Sequence, residues 1–391
     1  MKKYYETIVL GCGGLGSAAL YWLARRSGPE VLGLEQFRLG HDYGSSQDHS
    51  RIIRLSYDDP AYASLTPYAY IAWREAEDES GIQLVFQTGG IIFGPGSGGS
   101  QSVVQQYAAA MRGAGIPYEA LSAGETMRRF PQFRLQDDDQ VLYQAYSGLV
   151  DPRKANAVHT ALARARGATI LQEAAVQQVI PIDDGVRLET SAGDFECRRL
   201  VITSGAWTNK VLASVGVTLP LTVTEEQVTY FATPHLRQFA PDRFPIWIWH
   251  GKDVFYGFPV YGEVATKAGQ DVGGDPVTVD TRRMQPNPRP YEKLRRFLEE
   301  HIPDFLGPVL YTKPCLYTMP PDRGFILDTI PGLPQISVAI GAGHSFKFAS
   351  LIGRILSDLA LDSSTVYPIS AFGLSRPAIT DPNFKPVWVN D

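Results

Sequence analysis

The most informative stretch of the 391-residue chain lies near its start: Thr7-Ile8-Val9-Leu10-Gly11-Cys12-Gly13-Gly14-Leu15-Gly16. The apolar run predicts a strand, and residues 17–26 follow at helical spacing with arginines in the last turn. Between them stands the pattern G-x-G-x-x-G, in which Gly11 allows a tight turn, Gly13 admits a pyrophosphate and Gly16 lets helix pack on sheet. The stretch predicts a dinucleotide site at a helix N-terminus.

A second predicted strand, Glu30-Val31-Leu32-Gly33-Leu34, ends at the acidic residue Glu35. This carboxylate lies about 20 residues past the glycines, where dinucleotide folds place the residue that binds a ribose hydroxyl. Strand, turn, helix and terminal acid together favour a Rossmann-like domain. The alternative is a glycine-rich turn in some other α/β domain.

A second match to the glycine pattern lies at Gly94-Pro95-Gly96-Ser97-Gly98-Gly99, before a predicted helix over 101–111. Pro95 has no N–H to offer a phosphate, and no strand ending in an acid follows within a βαβ unit. We interpret the segment as a solvated loop, which leaves one dinucleotide site.

The composition sets the class of the protein. Hydrophobic residues make up 44% of the chain and charged residues 20%, which supports a sizeable core and two to three domains. The net charge of −5 without a basic block argues against nucleic acid, and no apolar run reaches the roughly 18 residues of a membrane span. No signal-like segment precedes Thr7, and three cysteines form neither a disulfide framework nor a metal cluster. We predict a soluble cytoplasmic enzyme without a metal site.

Elements typical of the nucleotide fold recur later in the chain. Asp151-Pro152 predicts a helix start, and strands are predicted over 175–180, 186–190 and 195–197, with a further strand over 199–203. Near the C-terminus, a strand over 336–340 leads through a glycine turn into a helix over 348–361.

The region over 221–319 is rich in strands and aromatic residues. Aromatic residues in strands are usually core residues; here they are Phe244, Trp247, Trp249, His250, Phe255, Tyr256 and Phe258. Residues 273–290 are rich in Gly, Pro and Arg and predict an exposed arm, whereas residues 291–301 predict a helix.

Four stretches, in order over nearly the whole chain, resemble the monomeric sarcosine oxidase family, a group of D-amino-acid-oxidase-like flavoproteins that includes N-methyltryptophan and pipecolate oxidases. They are the glycine turn with Glu35; Ser50-Arg51-Ile52-Ile53-Arg54; Phe255-Tyr256-Gly257-Phe258-Pro259 with Lys267; and Cys315-Leu316-Tyr317-Thr318-Met319 with Gly343-His344-Ser345-Phe346-Lys347. Many flavoproteins share the first motif, whereas the Cys315 and His344–Lys347 motifs are far more specific.

The resemblance implies an α/β fold with two domains. A Rossmann-like FAD-binding domain would be discontinuous over 1–85, 150–220 and 320–391, and a substrate domain with a mixed or antiparallel β-sheet would cover 86–149 and 221–319.

The resemblance also implies that FAD is held covalently, through a thioether from Cys315 to the flavin 8α-methyl group. A thiolate is a good soft nucleophile once its pKa is lowered. By composition alone, a lone cysteine is more often a small buried hydrophobe, and Cys12 and Cys197 keep that interpretation.

Two arginines and a lysine are the cations of the implied site. In the family the residue matching Arg51 lies beside the flavin, and those matching Arg54 and Lys347 bind the substrate carboxylate. A bidentate guanidinium fixes a planar carboxylate better than a point charge does. Without the resemblance, Arg51 and Arg54 would be a solvated pair on one helix face.

Lys267 is implied to activate oxygen, because a positive charge stabilises developing superoxide; the alternative is an ordinary surface lysine. Tyr256 would line the substrate pocket and His344 would lie near the flavin ring. Further cofactor contacts are implied for Gly11, Gly13, Gly14, Leu15, Gly16, Glu35, Ser45, Ser50, Arg51, Val176, Gly341, Gly343, His344, Phe346 and Lys347.

The chain departs from the family at three points. Ser46-Gln47 stands where a histidine pair is frequent, Asp271 replaces a histidine, and Trp247 or Trp249 falls where sarcosine oxidases carry a smaller pocket residue. We expect both tryptophans to contact the substrate, and these changes put sarcosine itself in doubt.

The predicted function is oxidation of a secondary-amine amino acid by FAD, giving an imine that hydrolyses, with O₂ reduced to H₂O₂ by a monomeric protein. Partners would be the small-molecule substrate and O₂, without nucleic acid or membrane. The alternatives are a dehydrogenase that passes electrons to a carrier, a non-catalytic FAD-binding protein and an NAD-dependent dehydrogenase.

Overall fold

The computed structural model describes residues 2–96 and 102–388. Its strands are β1 (Tyr4–Leu10), β2 (Val31–Leu34), β3 (Arg51–Ile53), β4 (Val85–Gln87), β5 (Gly90–Gly94), β6 (Glu119–Leu121), β7 (Gln140–Gln144), β8 (Gly148–Val150), β9 (Thr169–Leu171), β10 (Val176–Ile182), β11 (Gly185–Thr190), β12 (Phe195–Ile202), β13 (Thr222–Phe231), β14 (Ile246–His250), β15 (Val254–Phe258), β16 (Thr266–Asp271), β17 (Asp275–Val277), β18 (Val309–Met319), β19 (Ile326–Ile330) and β20 (Leu333–Ile340). Its helices are α1 (Gly14–Ser27), α2 (Pro60–Ser80), α3 (Val103–Gly113), α4 (Ala123–Arg129), α5 (Pro152–Ala165), α6 (Thr208–Leu212), α7 (Pro288–His301), α8 (Ala349–Asp362) and α9 (Pro377–Thr380).

The first sheet carries the glycine turn. Its strand order is β10-β11-β12-β1-β2-β9, with β20 beside β12 and β19 beside β20. β1 lies parallel to β2 and β12, and β12 lies parallel to β20. Helix α1 packs against these strands and against α5 and α8, because parallel strands need helical crossovers that cover the sheet. The predicted Rossmann-like α/β class is confirmed.

The second sheet has the order β17-β13-β16-β15-β14-β5-β7-β6, with β18 beside β13. Most neighbours are antiparallel, but β14 and β5 run parallel, so the sheet is mixed, as predicted. Strands β3, β8 and β4 form a small third sheet. The domain boundaries proposed from the sequence remain a prediction.

The glycine turn shows why its residues must lack a side chain. Gly11 has a φ of +89°, and its N–H donates to the Leu34 carbonyl across 2.8 Å. A Cβ on Gly16 would lie 1.7 Å from the Gly11 carbonyl oxygen, so any other residue would push α1 off the turn.

Other local predictions met mixed outcomes. Helix α5 begins at Pro152, and the Asp151 side chain accepts from the Lys154 N–H at 3.0 Å, as the cap pattern predicted. The two strands expected over 195–203 are instead one strand, β12, which pairs with β11 at its start and with β1 and β20 further along.

Two segments outside the first sheet also bear on the predictions. Residues 273–290 are not simply an exposed arm, because they include β17, which pairs with β13, and the start of α7. The second glycine match begins at the end of β5, in the second sheet, and its residues 97–99 lie outside the described residues.

Among the helices of the described residues, none is both long and apolar enough to cross a lipid bilayer.

Candidate active site

A cavity of about 1500 Å³ extends from the glycine turn to the second sheet. It brings together most of the residues predicted from the sequence: Gly11, Gly13, Gly14, Leu15, Glu35, Ser45, Ser50, Arg51, Arg54, Val176, Tyr256, Lys267, Cys315, Gly341, Gly343, His344, Phe346 and Lys347. Gly16 does not line it, because it packs against the backbone of the turn itself.

At one end of the cavity lies the N-terminus of α1. The Gly14 N–H donates to Ser46 Oγ at 2.8 Å, and the Glu35 carboxylate accepts from the backbone N–H groups of Cys12 (2.9 Å) and Phe37 (3.0 Å). Burial alone would raise the pKa of Glu35, but its hydrogen bonds hold that pKa below the usual value. Glu35 therefore stands at the end of β2 as a fixed carboxylate, suited to a ribose hydroxyl.

Several glycines keep the cavity wall close to the backbone. A Cβ on Gly14 would lie 2.7 Å from the Phe346 ring, and one on Gly343, where φ is +80°, would lie 2.4 Å from the Tyr317 ring. A long cavity that begins at a helix N-terminus and is walled by side-chain-free backbone fits an extended dinucleotide such as FAD.

Cys315 lies on β18 and lines the same cavity, between its two ends. Burial raises the pKa of its thiol to about 12, and the nearby Arg51 guanidinium opposes that rise. Glu226 stands directly across from it on β13, and burial raises the pKa of that carboxyl to about 7. Cys12 and Cys197 are buried in the two cores beside the first sheet.

Arg51 is held by the loop that precedes it. Its guanidinium donates to the backbone carbonyls of Ser50 (2.9 Å), Ser45 (3.0 Å) and Gln47 (2.7 Å). Arg51 begins strand β3, so the helix-face alternative is wrong. The guanidinium shapes the 45–50 loop at the cavity wall.

Asp48, a residue not singled out from the sequence, lies between Arg51 and Lys267. Its Oδ2 is 2.6 Å from Lys267 Nζ and 3.5 Å from Arg51 Nη1, and its Oδ1 accepts a short hydrogen bond from the Tyr230 hydroxyl. Lys267 is not a surface lysine, because its side chain and that of Asp48 are each 3% exposed. Burial lowers the pKa of Lys267 to about 8, while Asp48 acts in the opposite direction.

Arg54 is the contrasting cation. The residue is 9% exposed, yet its Nε and Nη1 have no hydrogen-bond partner among the described residues. Its guanidinium lies over the rings of Tyr57 (4.5 Å) and Tyr107 (5.1 Å), which support a cation without neutralising it. Buried donors without acceptors indicate a place for an anionic ligand.

Lys347 lies beside Arg54 at the same end of the cavity. Its Nζ donates to the Tyr57 hydroxyl at 3.1 Å and to the His344 carbonyl at 2.7 Å. Burial, and next the Arg54 cation, hold the pKa of Lys347 well below its usual value. The ring of His344 lies within hydrogen-bond distance of the Tyr57 hydroxyl and the Arg323 carbonyl, both at 3.2 Å, and burial keeps it neutral by lowering its pKa.

Three further polar residues, of which only Arg323 was not named from the sequence, lie at this end of the cavity. Arg323 Nη2 contacts both carboxylate oxygens of Asp271, at 2.7 and 2.8 Å. His250 lines the cavity, its Nε2 has no hydrogen-bond partner within the described ranges, and burial lowers its pKa to about 4. The alternation of residues along β14 could have placed His250 on the same face as Ile248. No such pattern was available for Arg323, which lies in a loop far away in the sequence.

Trp247 and Trp249 do not line the cavity, so the expectation that they contact the substrate is wrong. Ile248 and His250 occupy the cavity face of β14, and the tryptophans lie on the opposite face. Trp247 is fully buried and packs against Phe297, with ring centroids 5.5 Å apart. Because successive side chains of a strand point to opposite faces, the pairing register of β14 decides which residues line the cavity.

Comparisons with known proteins agree with this geometry. Residues 6–359 match the family described as DAO, FAD dependent oxidoreductase. The chain is 35% identical to the monomeric sarcosine oxidase of Streptomyces avermitilis over 97% of its own length and 99% of the relative's. It is 29% identical to the N-methyl-L-tryptophan oxidase of Escherichia coli, covering 95% and 99% of the two chains.

Among solved structures, the open form of NikD, an unusual amino acid oxidase essential for nikkomycin biosynthesis, superposes with a TM-score of 0.83. The sequences are 29% identical, over 95% of this chain and 98% of that one. The family uses FAD, so the NAD-dependent alternative falls away. A match of this extent shows that the chain belongs to the DAO family of FAD-dependent oxidoreductases.

Proposed function

We propose that the protein is an FAD-dependent oxidase of amino acids that carry a secondary, N-substituted amine. The names of its relatives, a sarcosine oxidase and an N-methyl-L-tryptophan oxidase, supply the reaction class. The observation that carries the proposal is Arg54: a buried guanidinium, two of whose nitrogens have no partner among residues 2–96 and 102–388, beside a second cation in the wall of the cavity.

Arg54 and Lys347 would bind the substrate carboxylate together. Nε and Nη1 of Arg54 have no hydrogen-bond partner in the described part of the chain, so its planar guanidinium has donors to offer a carboxylate, and the Lys347 ammonium adds another. The aromatic rings of Tyr57 and Tyr107 exclude water around the guanidinium, which strengthens a charge pair there. Fixing the carboxylate orients the C–H bond beside the nitrogen.

When bound, FAD would supply the redox chemistry. The substrate would lose a hydride equivalent from that C–H bond and a proton from the nitrogen, which leaves an imine for water to hydrolyse, and the two electrons and two protons would reduce O₂ to H₂O₂. The protein's own part is positioning and charge. Lys267 lines the cavity in the same wall as Cys315, and we propose it as the cation that promotes the reaction with O₂.

The rest of the substrate, including its N-substituent, would meet other residues that line the same cavity. Ile248 and Phe258 supply apolar surface, and Tyr256 and His250 supply polar groups. Asp271, paired with Arg323, adds a fixed charge pair to this wall. This mixture suits a polar or cyclic substituent as well as a methyl group.

The test is a peroxide-release screen over N-methyl, N-carboxymethyl, cyclic and primary amino acids with air as the sole oxidant. One equivalent of H₂O₂ for each amine oxidised supports an oxidase. Anaerobic bleaching of the flavin without peroxide in air would identify a dehydrogenase, and no bleaching by any amino acid would indicate a non-catalytic protein.

We further propose that Cys315 carries FAD through a thioether to the 8α-methyl group. Its position in the cavity wall and the Arg51 cation that favours its thiolate support this linkage. Acid precipitation of the yellow protein should leave the chromophore in the pellet. The Cys315→Ala variant should release it, and flavin in the supernatant of the unchanged protein would exclude the linkage.

We also propose that the protein acts as a cytoplasmic monomer. A single chain forms the whole cavity, and none of the three cysteines is in a disulfide, which suits a reducing compartment. Sedimentation at micromolar concentration should give the mass of one chain, 43.0 kDa, plus FAD.

A further inference from the structure

We propose that Asp48 is a positioning residue for Lys267: its carboxylate holds the lysine as an ammonium in the cavity wall and so widens the pH range over which the reduced enzyme reacts with O₂. The inference rests on the proposed role of Lys267. It assigns a function to a residue that no motif in the sequence marks.

The contacts of Lys267 fix where its charge lies. An ammonium has three donors, and three acceptors meet Nζ here: Asp48 Oδ2 at 2.6 Å, the Ser50 carbonyl at 2.8 Å and Ser50 Oγ at 3.1 Å. The ring of Phe258 lies beside the ammonium, with its centroid 4.6 Å from Nζ, and Lys267 still lines the cavity. Asp48 is the single anion in direct contact with the lysine among the described residues.

The surroundings of Lys267 otherwise favour the neutral amine. Burial is the largest effect that lowers the pKa of Lys267. The Arg51 guanidinium, which is always charged, also lies close enough to repel an ammonium. The other groups that face this position are the Tyr230 phenol, which is neutral at physiological pH because burial raises its pKa, and Cys315, whose sulfur is uncharged both as a buried thiol and as the proposed thioether. Asp48 therefore supplies the charge that keeps the proton on Lys267.

Asp48 is held in place against its backbone preference. Its φ is +93°, outside the regions that side-chain-bearing residues favour. Tyr230 donates to Oδ1, and Lys267 Nζ forms an ion pair with Oδ2 at 2.6 Å, so residues of the second sheet contact both carboxylate oxygens. A glycine would adopt this φ without strain and would remove only the carboxylate.

The experiment follows reoxidation of the reduced holoenzyme by O₂ from pH 5.5 to 9.5 in a stopped-flow instrument. In the unchanged protein the rate should fall as pH rises through about 8, where Lys267 loses its proton. In Asp48→Asn and Asp48→Gly that fall should begin at least about one pH unit lower, because a tenfold change in protonation accompanies each unit. At pH 6 the rates should agree within about twofold, and at pH 7.5 the variants should be at least about threefold slower.

A second readout does not depend on turnover. In the oxidised holoenzyme with ¹³C-labelled lysine, the ε-carbon resonance absent from Lys267→Met identifies Lys267. Its titration midpoint should move to lower pH in both Asp48 variants. Tyr230→Phe is the matched control, because it removes a hydrogen bond to Asp48 but keeps the carboxylate, and its midpoint should move by only a few tenths of a pH unit.

The outcomes separate the two proposals. Equal slowing at every pH, or an unmoved midpoint, would overturn the role of Asp48 and leave a structural contact. If Asp48→Asn does not fold, Asp48→Gly decides, since its backbone accepts the observed φ. If Lys267→Met reoxidises at the unchanged rate, the proposed role of Lys267 itself is wrong.

Discussion

The two pairs of cations in the cavity have opposite environments. Arg51 and Lys267 are saturated by the protein, through backbone carbonyls and the Asp48 carboxylate. Arg54 and Lys347 meet aromatic rings, the Tyr57 hydroxyl and one backbone carbonyl, but no carboxylate among the described residues, and two Arg54 donors remain unpaired there. A cation whose donors all have acceptors is part of the cavity wall, whereas one with unpaired donors is a binding site. Burial does not explain the difference, because Lys267 is at least as buried as Arg54 and Lys347.

The largest expected effect concerns the saturated pair. Lys267→Met should slow reoxidation by O₂ about 10²- to 10³-fold, because it removes a fixed charge where negative charge develops. Anaerobic reduction by substrate should change by less than about threefold. Stopped-flow absorbance measures both steps. Equal decreases in the rates of reduction and reoxidation would mean that the Arg51–Lys267 and Arg54–Lys347 pairs do not serve separate steps.

The next largest effect concerns Arg54 and Lys347, the pair without a carboxylate partner among the described residues. Arg54→Ala should raise the apparent dissociation constant for substrate by about 10²-fold, which corresponds to roughly 3 kcal/mol for a lost buried charge pair. Anaerobic flavin reduction at varied substrate concentration gives this constant. Arg54→Lys keeps the charge without the planar donors and should lose less. An unchanged constant in Arg54→Ala would refute the carboxylate site.

The pH dependence of binding should distinguish Lys347 from Lys267. The lowered pKa of Lys347 means that the free enzyme loses this ammonium as pH rises, so substrate affinity should fall toward alkaline pH. A bound carboxylate favours the ammonium, so binding should take up a proton there. Lys347→Met should bind about tenfold more weakly at low pH and should lack the alkaline fall. Calorimetry in two buffers measures the proton uptake.

The smallest expected effect tests whether the ring or the hydroxyl of Tyr107 stabilises the Arg54 guanidinium. Tyr107→Phe removes a hydroxyl beside Arg54 but keeps the ring beneath its guanidinium. Because the ring provides most of the support, the dissociation constant should rise by no more than about threefold. A rise that matched Arg54→Ala would mean that the hydroxyl, not the guanidinium, binds the substrate.

The glycine turn, Glu35 and the Arg54 and Lys347 positions could be predicted because their information is local. A turn with its strand and helix occupies about 20 residues, and the structure agrees with it closely. The family motifs likewise name residues that lie near one another in sequence.

The tryptophans and Asp48 could not be predicted for different reasons. Which face of β14 lines the cavity depends on the register with β5 and β15, and a shift of one residue exchanges Trp247 and Trp249 for Ile248 and His250. Asp48 matters because a strained loop and a strand more than 200 residues later bring it to Lys267. Such pairs exist only once the sheets are assembled.

The place of β20 beside β12 governs the order in which the protein can mature. β20 completes the parallel part of the first sheet, and the turn that follows it supplies Gly341 and Gly343 to the cavity wall. The ribosome adds more than 300 residues after the N-terminal glycine turn before it reaches β20, and until then the nascent chain lacks this wall. We therefore expect stable FAD binding only after this part of the chain has been synthesised. A chain that ends before β20 should remain an apoprotein with an unpaired sheet edge, which chaperones and proteases recognise.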